Sequence, residues 1–182
     1  MLILASVVTL SSQSVLAGVV DSGPVNIVIP PTIDGIYFNL VNGASGVTPA
    51  TAPPGWDFDP FAQSGPLLSF FWATASGAGG VGASNVYTVL APGAPIDGSR
   101  TFVQSAQSAA TVNFRTTNPN AFLGLHFLNE GTGVINFGWV ELSTTGPSGF
   151  PASIIRYAFE DTGAAITIPP ITPVRLQSFD VE

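Results

Sequence analysis

The sequence predicts an all-β protein, an antiparallel β-sandwich that is jelly-roll-like, with about nine strands in a single domain. The apolar segments are short, rich in Val, Ile, Phe and Thr, and separated by turn residues at intervals of roughly 8–20 residues. Helical periodicity is nearly absent, no lysine occurs, and the 182 residues include 20 glycines and 16 prolines. Each of these observations disfavours helices and favours strands joined by turns.

Nine candidate strands follow in chain order. They are residues 25–29, 36–41, 67–73, 85–89, 109–115, 122–128, 134–142, 153–160 and 174–181. Residues 42–65 contain four prolines and are predicted to form a long loop. Residues 76–84 (SGAGGVGAS) read as a flexible connection, and residues 169–173 (PPITP) as an extended segment whose prolines cannot donate ladder hydrogen bonds.

The N-terminal segment has the pattern of a secretory signal peptide. An apolar run gives way to polar residues, and Val15-Leu16-Ala17 places small residues at the −3 and −1 positions of a cleavage site. Residues 1–17 are therefore expected to be removed, leaving residues 18–182 as one β-sandwich domain in an extracellular or cell-surface location. A first core strand is the alternative, since the basic start of a signal peptide is missing.

Composition narrows the class of partner. Only 8% of residues are charged, and eleven carboxylates against four arginines give a net charge of −7. A chain without a basic face is not expected to bind nucleic acid or an anionic membrane. Without cysteine it has neither disulfides nor zinc–thiolate sites. No segment after the N-terminus approaches the ~20 apolar residues of a membrane span.

The segment FLGLHFLNEGTGVINFGWVEL (residues 122–142) holds the only histidine and reads as a β-hairpin with residues 129–133 as its loop. Leu128 would then face Val134, and Leu125 and Trp139 would share the face that packs on the core. On the other face, His126 would pair with Asn136. No carboxylate is identifiable as a partner that would make His126 a general base, so no catalytic residue is assigned.

The segment PGWDFDPF (residues 54–61) carries the candidate binding residues. Asp57 and Asp59 alternate along an extended segment and would point the same way, so with nearby carbonyls they could hold Ca²⁺, the one cofactor considered. The other interpretation is that both aspartates cap turns while the aromatic residues anchor a long loop. Trp56 is the candidate ligand-binding residue, as an exposed platform for sugar rings, because Trp72 and Trp139 lie on apolar strands.

Several segments together resemble a group of secreted bacterial proteins without assigned chemistry, the PEP-CTERM-associated type. The resemblance rests on TIDGIYFNLV, PGWDFDPF, LSFFW, the hairpin segment and GFPASIIRYAFEDTGAAITIP, and it covers roughly residues 34–169. Where the pattern of that group often has Arg, this chain has His126, which implies that the histidine is not catalytic. The chain ends in RLQSFDVE, without the C-terminal sorting signal, so release or non-covalent retention is expected.

The sequence therefore favours a secreted, non-enzymatic surface, matrix or assembly protein with a structural or adhesive role. Its partners would be further copies of itself, extracellular matrix or glycan. The alternative is a carbohydrate-binding module with structural Ca²⁺, and the second alternative is a hydrolase of unfamiliar type.

Overall fold

The computed structural model describes residues 18–170, which form an all-β fold. The predicted signal peptide (1–17) and the last candidate strand (174–181) lie outside the described residues. The described strands are β1 (Val19–Asp21), β2 (Ile27–Ile29), β3 (Tyr37–Phe38), β4 (Ser45–Gly46), β5 (Phe58–Gln63), β6 (Leu67–Trp72), β7 (Gly79–Ala83), β8 (Val86–Tyr87), β9 (Val89–Leu90), β10 (Pro95–Ile96), β11 (Phe102–Val103), β12 (Asn118–Asn129), β13 (Val134–Thr145), β14 (Gly149–Glu160) and β15 (Ile166–Thr167). Two 3-10 helices, Thr74–Ser76 and Ser108–Phe114, complete the described part.

All described strand pairs are antiparallel, in sheets of nine, four and two strands. The large sheet runs β1-β14-β13-β12-β7-β11, with β2 beside β14, β8 beside β7 and β9 beside β12. The small sheet runs β4-β3-β5-β6, and β10 pairs with β15. The long strands β12, β13 and β14 form a meander at the centre of the large sheet, because each follows the previous one through a short turn.

The main core lies between the large and the small sheet. The small sheet contributes Phe38, Phe58, Phe70 and Trp72, and the large sheet contributes apolar residues that include Leu123, Leu125, Phe127, Val140, Leu142 and Ile154. Two sheets that bury facing apolar surfaces make a sandwich, so the predicted fold class is confirmed.

A second apolar cluster covers part of the other face of the large sheet. Phe122 and Trp139 pack there in a T-shaped contact of 5.5 Å, together with Ile96 from β10 and Ile166 from β15. The large sheet is therefore buried on both faces at its centre, which explains why β12 and β13 read as nearly continuous apolar runs.

The predicted hairpin exists, but its predicted register is wrong by one residue. Asn129 pairs with Val134 and Leu128 with Ile135, so the loop has one residue fewer than expected. A shift of one residue moves every side chain of a strand to the opposite face. Trp139 therefore lies in the second cluster rather than beside Leu125, although it is buried as expected.

Three further segments differ from the prediction. Residues 109–115 are not a strand but belong to the 3-10 helix Ser108–Phe114, whose buried positions Ala110, Thr111 and Phe114 follow helical spacing. The predicted loop 42–65 contains β4 and most of β5, and the predicted flexible connection 76–84 contains β7. Close neighbours explain two glycines of β7: a Cβ on Gly80 would lie 2.9 Å from both the Trp72 and the Tyr87 side chain, and a Cβ on Gly82 would lie 2.3 Å from the Val86 carbonyl oxygen.

Within residues 18–170 there is no helix of the length and apolar character needed to cross a membrane.

Candidate functional site

The outer face of the small sheet carries most of the residues that the sequence singled out. Phe58 points into the core and is fully buried, so its neighbours Asp57 and Asp59 point the other way, as expected for alternate residues of an extended segment. Asp59 pairs across the sheet with Phe71 of β6. Side chains of paired residues lie on the same face, so Asp59 and Phe71 are neighbours on the outer surface.

Asp57 holds the chain segment around β3 in place. Its Oδ2 accepts a hydrogen bond of 3.0 Å from the backbone N–H of Leu40. Its Oδ1 is buried and has no hydrogen-bond partner among the described residues. Burial raises the pKa of Asp57 to about 8, the Leu40 N–H opposes this change, and the charge of Glu130 adds to it. The Asp57 carboxyl is thus largely neutral at neutral pH.

Asp59, two residues further along in β5, also holds a backbone segment in place. Its Oδ1 accepts a hydrogen bond of 3.1 Å from the backbone N–H of Ile36. Burial raises its pKa to about 7, the Ile36 N–H lowers it, and the charge of Asp34 raises it. These two hydrogen bonds support the interpretation that both aspartates anchor nearby backbone.

Asn39 fixes the loop that carries Trp56. Its Nδ2 donates to the backbone carbonyls of Pro54 at 3.1 Å and Gly55 at 2.8 Å. The same nitrogen lies 3.2 Å from Oε1 of Glu130, in the β12–β13 turn. Since Asn39 is itself buried, these bonds tie the loop to both sheets of the sandwich.

Trp56 is half-buried and belongs to a group of three aromatic rings, which we call the aromatic surface. Its ring lies 5.0 Å from that of Tyr37 in a T-shaped contact and 5.8 Å from that of Phe71 in a tilted one. Phe71 is 42% exposed, which is unusual for so large an apolar side chain. Trp72 and Trp139 are each 2% exposed, so Trp56 is the most accessible of the three tryptophans, and its role in binding a ligand stays a prediction.

Two hollows flank the aromatic surface. One, with a volume of about 180 Å³, is lined by Ile33, Tyr37, Asp59, Phe61 and Phe71, and we call it the aromatic cleft. The other has a volume of about 190 Å³, and its lining includes Trp56, Ala73, Leu128 and Glu130. A ligand bound against these rings would therefore find a depression on either side.

The structure separates His126 from this surface. It is half-buried in β12, as expected, but it does not pair with Asn136. Its ring stacks on Phe102 with centroids 3.9 Å apart, and burial lowers its pKa. Asn136 lies on the opposite face, fully buried, and neither polar atom of its side chain has a partner among the described residues.

The calcium hypothesis for Asp57 and Asp59 stays a prediction. Both carboxylates lie on one side of the segment, but each has one oxygen bonded to a backbone N–H of residues 36–40. Among residues 18–170 no three His, Cys, Asp or Glu side chains are grouped as they would be around a metal ion. Any calcium site here would have to take further oxygen ligands from backbone carbonyls or water.

Sequence reasoning missed Tyr37 and Phe71 as neighbours of Trp56. One signal was present in LSFFW, where Phe70, Phe71 and Trp72 are consecutive. Because successive strand residues face opposite sides, three aromatic residues in a row must place one of them on the outer face. Which residues of other strands meet Phe71 there depends on strand pairing, which the sequence does not show.

Comparison with protein-family models, with curated proteins and with solved structures finds no match to this chain.

Proposed function

We propose that this chain is a secreted, non-enzymatic adhesive protein of the cell surface or extracellular matrix that attaches to a glycan through its aromatic surface. The single observation that supports this is the grouping of Tyr37, Trp56 and Phe71 on the outer face of the small sheet, with two hollows beside them. Sugar rings present flat C–H faces that stack on aromatic side chains, as other planar and apolar ligand surfaces do.

The polar groups beside the rings suit a sugar as well. Hydroxyl groups need acceptors and donors at fixed positions, and Asp59 supplies a carboxyl group within the aromatic cleft. Asn39 holds the Trp56 loop through two backbone carbonyls, so the platform is ordered before a ligand arrives. An ordered platform loses less conformational entropy on binding than a mobile one.

Fluorescence quenching tests the proposal, because the three tryptophans differ in exposure. Trp72 and Trp139 are buried, so acrylamide should reach mainly Trp56. A glycan that binds the aromatic surface should protect Trp56 from quenching, and calorimetry with a panel of soluble oligosaccharides should identify it. Trp56→Ala should abolish binding, and Val134→Ala, which shortens another exposed apolar side chain, should not.

Three outcomes separate this proposal from its alternatives. Binding that survives Trp56→Ala would refute the aromatic surface as the site. Time-dependent hydrolysis of a bound glycan that disappears in His126→Ala would instead support a hydrolase. Absence of binding across the panel would leave assembly as the better explanation.

The extracellular location is a separate part of the proposal, supported by the sequence pattern of residues 1–17. Mass spectrometry of the native protein recovered from the medium or the cell surface should find an N-terminus at Gly18. Recovery of extracellular protein that still begins at Met1 would refute cleavage and favour the first-strand interpretation of that segment.

One observation favours self-association as a second candidate function. The strands β1 and β2 pair with the same side of β14, and Val19, Val20 and Val28 are 61%, 41% and 64% exposed. Exposed apolar edge strands can pair with another chain. Sedimentation velocity should then show concentration-dependent association that Val20→Lys/Val28→Lys reduces, and a monomer at every concentration would exclude this candidate.

A further inference from the structure

We infer that the glycan bound by the aromatic surface is cationic, an amino sugar whose ammonium group sits beside the carboxylate of Asp59 in the aromatic cleft. This inference rests on the proposed function and adds the charge of the ligand to it. It comes from the environment of one carboxyl group, which is enclosed by apolar side chains and lacks a cationic partner among the described residues.

Asp59 is 2% exposed, so it is almost entirely withdrawn from water. Its Oδ1 is occupied by the Ile36 N–H. No donor among residues 18–170 forms a hydrogen bond to its Oδ2, although Asp59 is part of the wall of the aromatic cleft. Unlike Oδ1 of Asp57, this oxygen is not closed off from solvent, so a ligand in the cleft can donate a hydrogen bond to it.

The charges around the cleft favour a cation. Within the described part of the chain the one ion pair joins Arg156 to Asp21, away from this face. The titratable groups facing Asp59 are Asp34, whose charge acts on it, and Tyr37, whose pKa is raised by burial first and then by Asp59 and Asp34. Two carboxyl groups, with no arginine of residues 18–170 paired to either, make the cleft a region of negative potential, which attracts and retains a positive group.

The walls of the cleft suit the same group. Tyr37, Phe61 and Phe71 line the cleft beside Asp59, and the faces of aromatic rings attract ammonium ions. An ammonium group provides three donors and can reach a carboxylate and a ring face together. A neutral acetamido group at the same place would bring no charge and a weaker donor. The cleft therefore discriminates between an amino sugar and its N-acetylated form.

The test compares oligomers of glucosamine with N-acetylglucosamine oligomers of the same length, by calorimetry at neutral pH. The glucosamine oligomer should bind at least about tenfold more tightly, because a hydrogen bond between charged groups is stronger than one between neutral groups. Asp59→Asn should remove this preference, because both oligomers then meet the same neutral amide. The amide oxygen can still accept from the Ile36 N–H, so the variant should fold.

Asp97→Asn is the matched control. It removes the same charge from a partly exposed carboxyl group outside the cleft, and it should retain the full preference for the glucosamine oligomer. If Asp59→Asn does not fold, Asp34→Asn provides the second measurement, since losing its charge should reduce the preference severalfold.

Failures of the two proposals are distinguishable. Equal binding of both oligomers, or a preference that persists in Asp59→Asn, would overturn the cationic ligand and leave the glycan proposal standing. Failure of both oligomers and of the wider oligosaccharide panel to bind or to protect Trp56 would overturn the proposed function itself, and the cationic ligand with it.

Discussion

At Asp57 and Asp59 the chain buries two carboxyl groups, a residue type that proteins almost always leave in contact with water unless it is paired. Their partners here are single backbone N–H groups of Leu40 and Ile36. One neutral donor does not compensate for the loss of hydration of an ionised carboxylate, so the pKa values rise to about 8 and about 7. Each aspartate thus orders the segment around β3 while remaining easy to protonate.

The raised pKa of Asp57 predicts that this protein loses stability as the pH rises. In the unfolded chain the carboxyl group titrates near 3.9, whereas in the fold its pKa is about 8. Between these values the folded state holds a proton that the unfolded state has released, so a higher pH favours unfolding. The stability that Asp57 contributes is fully present below the pKa of the unfolded chain, and it is lost as the pH rises through the pKa of the folded state. Urea unfolding should give a free energy that falls by a few kcal/mol between about pH 5 and about pH 8.5.

Asp57→Asn supplies the comparison for this pH dependence. The amide keeps an acceptor for the Leu40 N–H and cannot ionise, so the variant should match wild type at about pH 5 and exceed it at about pH 8.5. A wild-type stability that rises over this range, or a variant with the same slope as wild type, would show that Asp57 does not carry the effect.

Among the elements, the turn before β3 determines how closely the small sheet packs. Gly35 has a φ of +50°, and a Cβ at this position would lie 2.3 Å from the Pro60 carbonyl oxygen and 2.6 Å from Oδ1 of Asp59. Only a residue without a side chain allows the chain to pass so near β5. The Ile36 N–H can reach Asp59 because of this approach, so the geometry of the aromatic cleft depends on Gly35.

Gly35→Ala is therefore expected to destabilise the fold by about 3 kcal/mol or more, from strain in the left-handed region together with overlap with β5. Gly23→Ala is the matched control, since Gly23 has a φ of +61° and nothing within 4 Å of its added Cβ. It should lose about 1 kcal/mol, from backbone strain alone. Denaturant midpoints for the two variants measure the difference, and equal losses would mean that the close approach to β5 contributes nothing.

In the hairpin of β12 and β13, the burial of two side chains predicts which substitution destabilises the fold more. Trp139 is 2% exposed within the second cluster, whereas His126 is half-buried against one ring, that of Phe102. Trp139→Ala should cost about 3–5 kcal/mol and His126→Ala about 1 kcal/mol or less. Chemical denaturation of both variants checks the order, and a larger loss for His126→Ala would contradict the packing of that face.

For the whole molecule, a charge of −7 with only four arginines leaves most carboxylates without an internal cation. Such a surface attracts cations in general, and oxygen ligands select hard ions such as Ca²⁺ rather than zinc. The structure places Asp57 and Asp59 on one side of a segment but also bonds each to backbone. A metal ion bound to the folded state would raise its melting temperature, so melting measurements show whether the fold binds one.

If calcium binds near Asp57 and Asp59, millimolar Ca²⁺ should raise the melting temperature relative to EDTA. A ligand specific for the folded state adds about 2.7 kcal/mol at a hundredfold excess over its Kd. The shift should vanish in Asp57→Asn/Asp59→Asn. An unchanged melting temperature in wild type, or a shift that persists in the double variant, would refute this metal site and leave both residues as backbone anchors.

The sequence by itself determined the fold class and most of the long strands, because apolar alternation, turn residues and the scarcity of helix formers are local properties that need no partner. It also singled out Trp56, Asp57 and Asp59 through their alternation with aromatic residues. The register of β12 on β13 was decided by packing, since both faces of this hairpin are apolar and the pattern does not choose between them.

Only the tertiary structure decided what surrounds these residues. β7 was missed because its glycines carry no strand signal, and Gly80 is required there by the approach of the Trp72 and Tyr87 side chains. The aromatic surface likewise joins Tyr37, Trp56 and Phe71 from separate parts of the sequence. Such contacts follow from long-range strand pairing and the exclusion of water, and a pattern read along the chain contains no information about either.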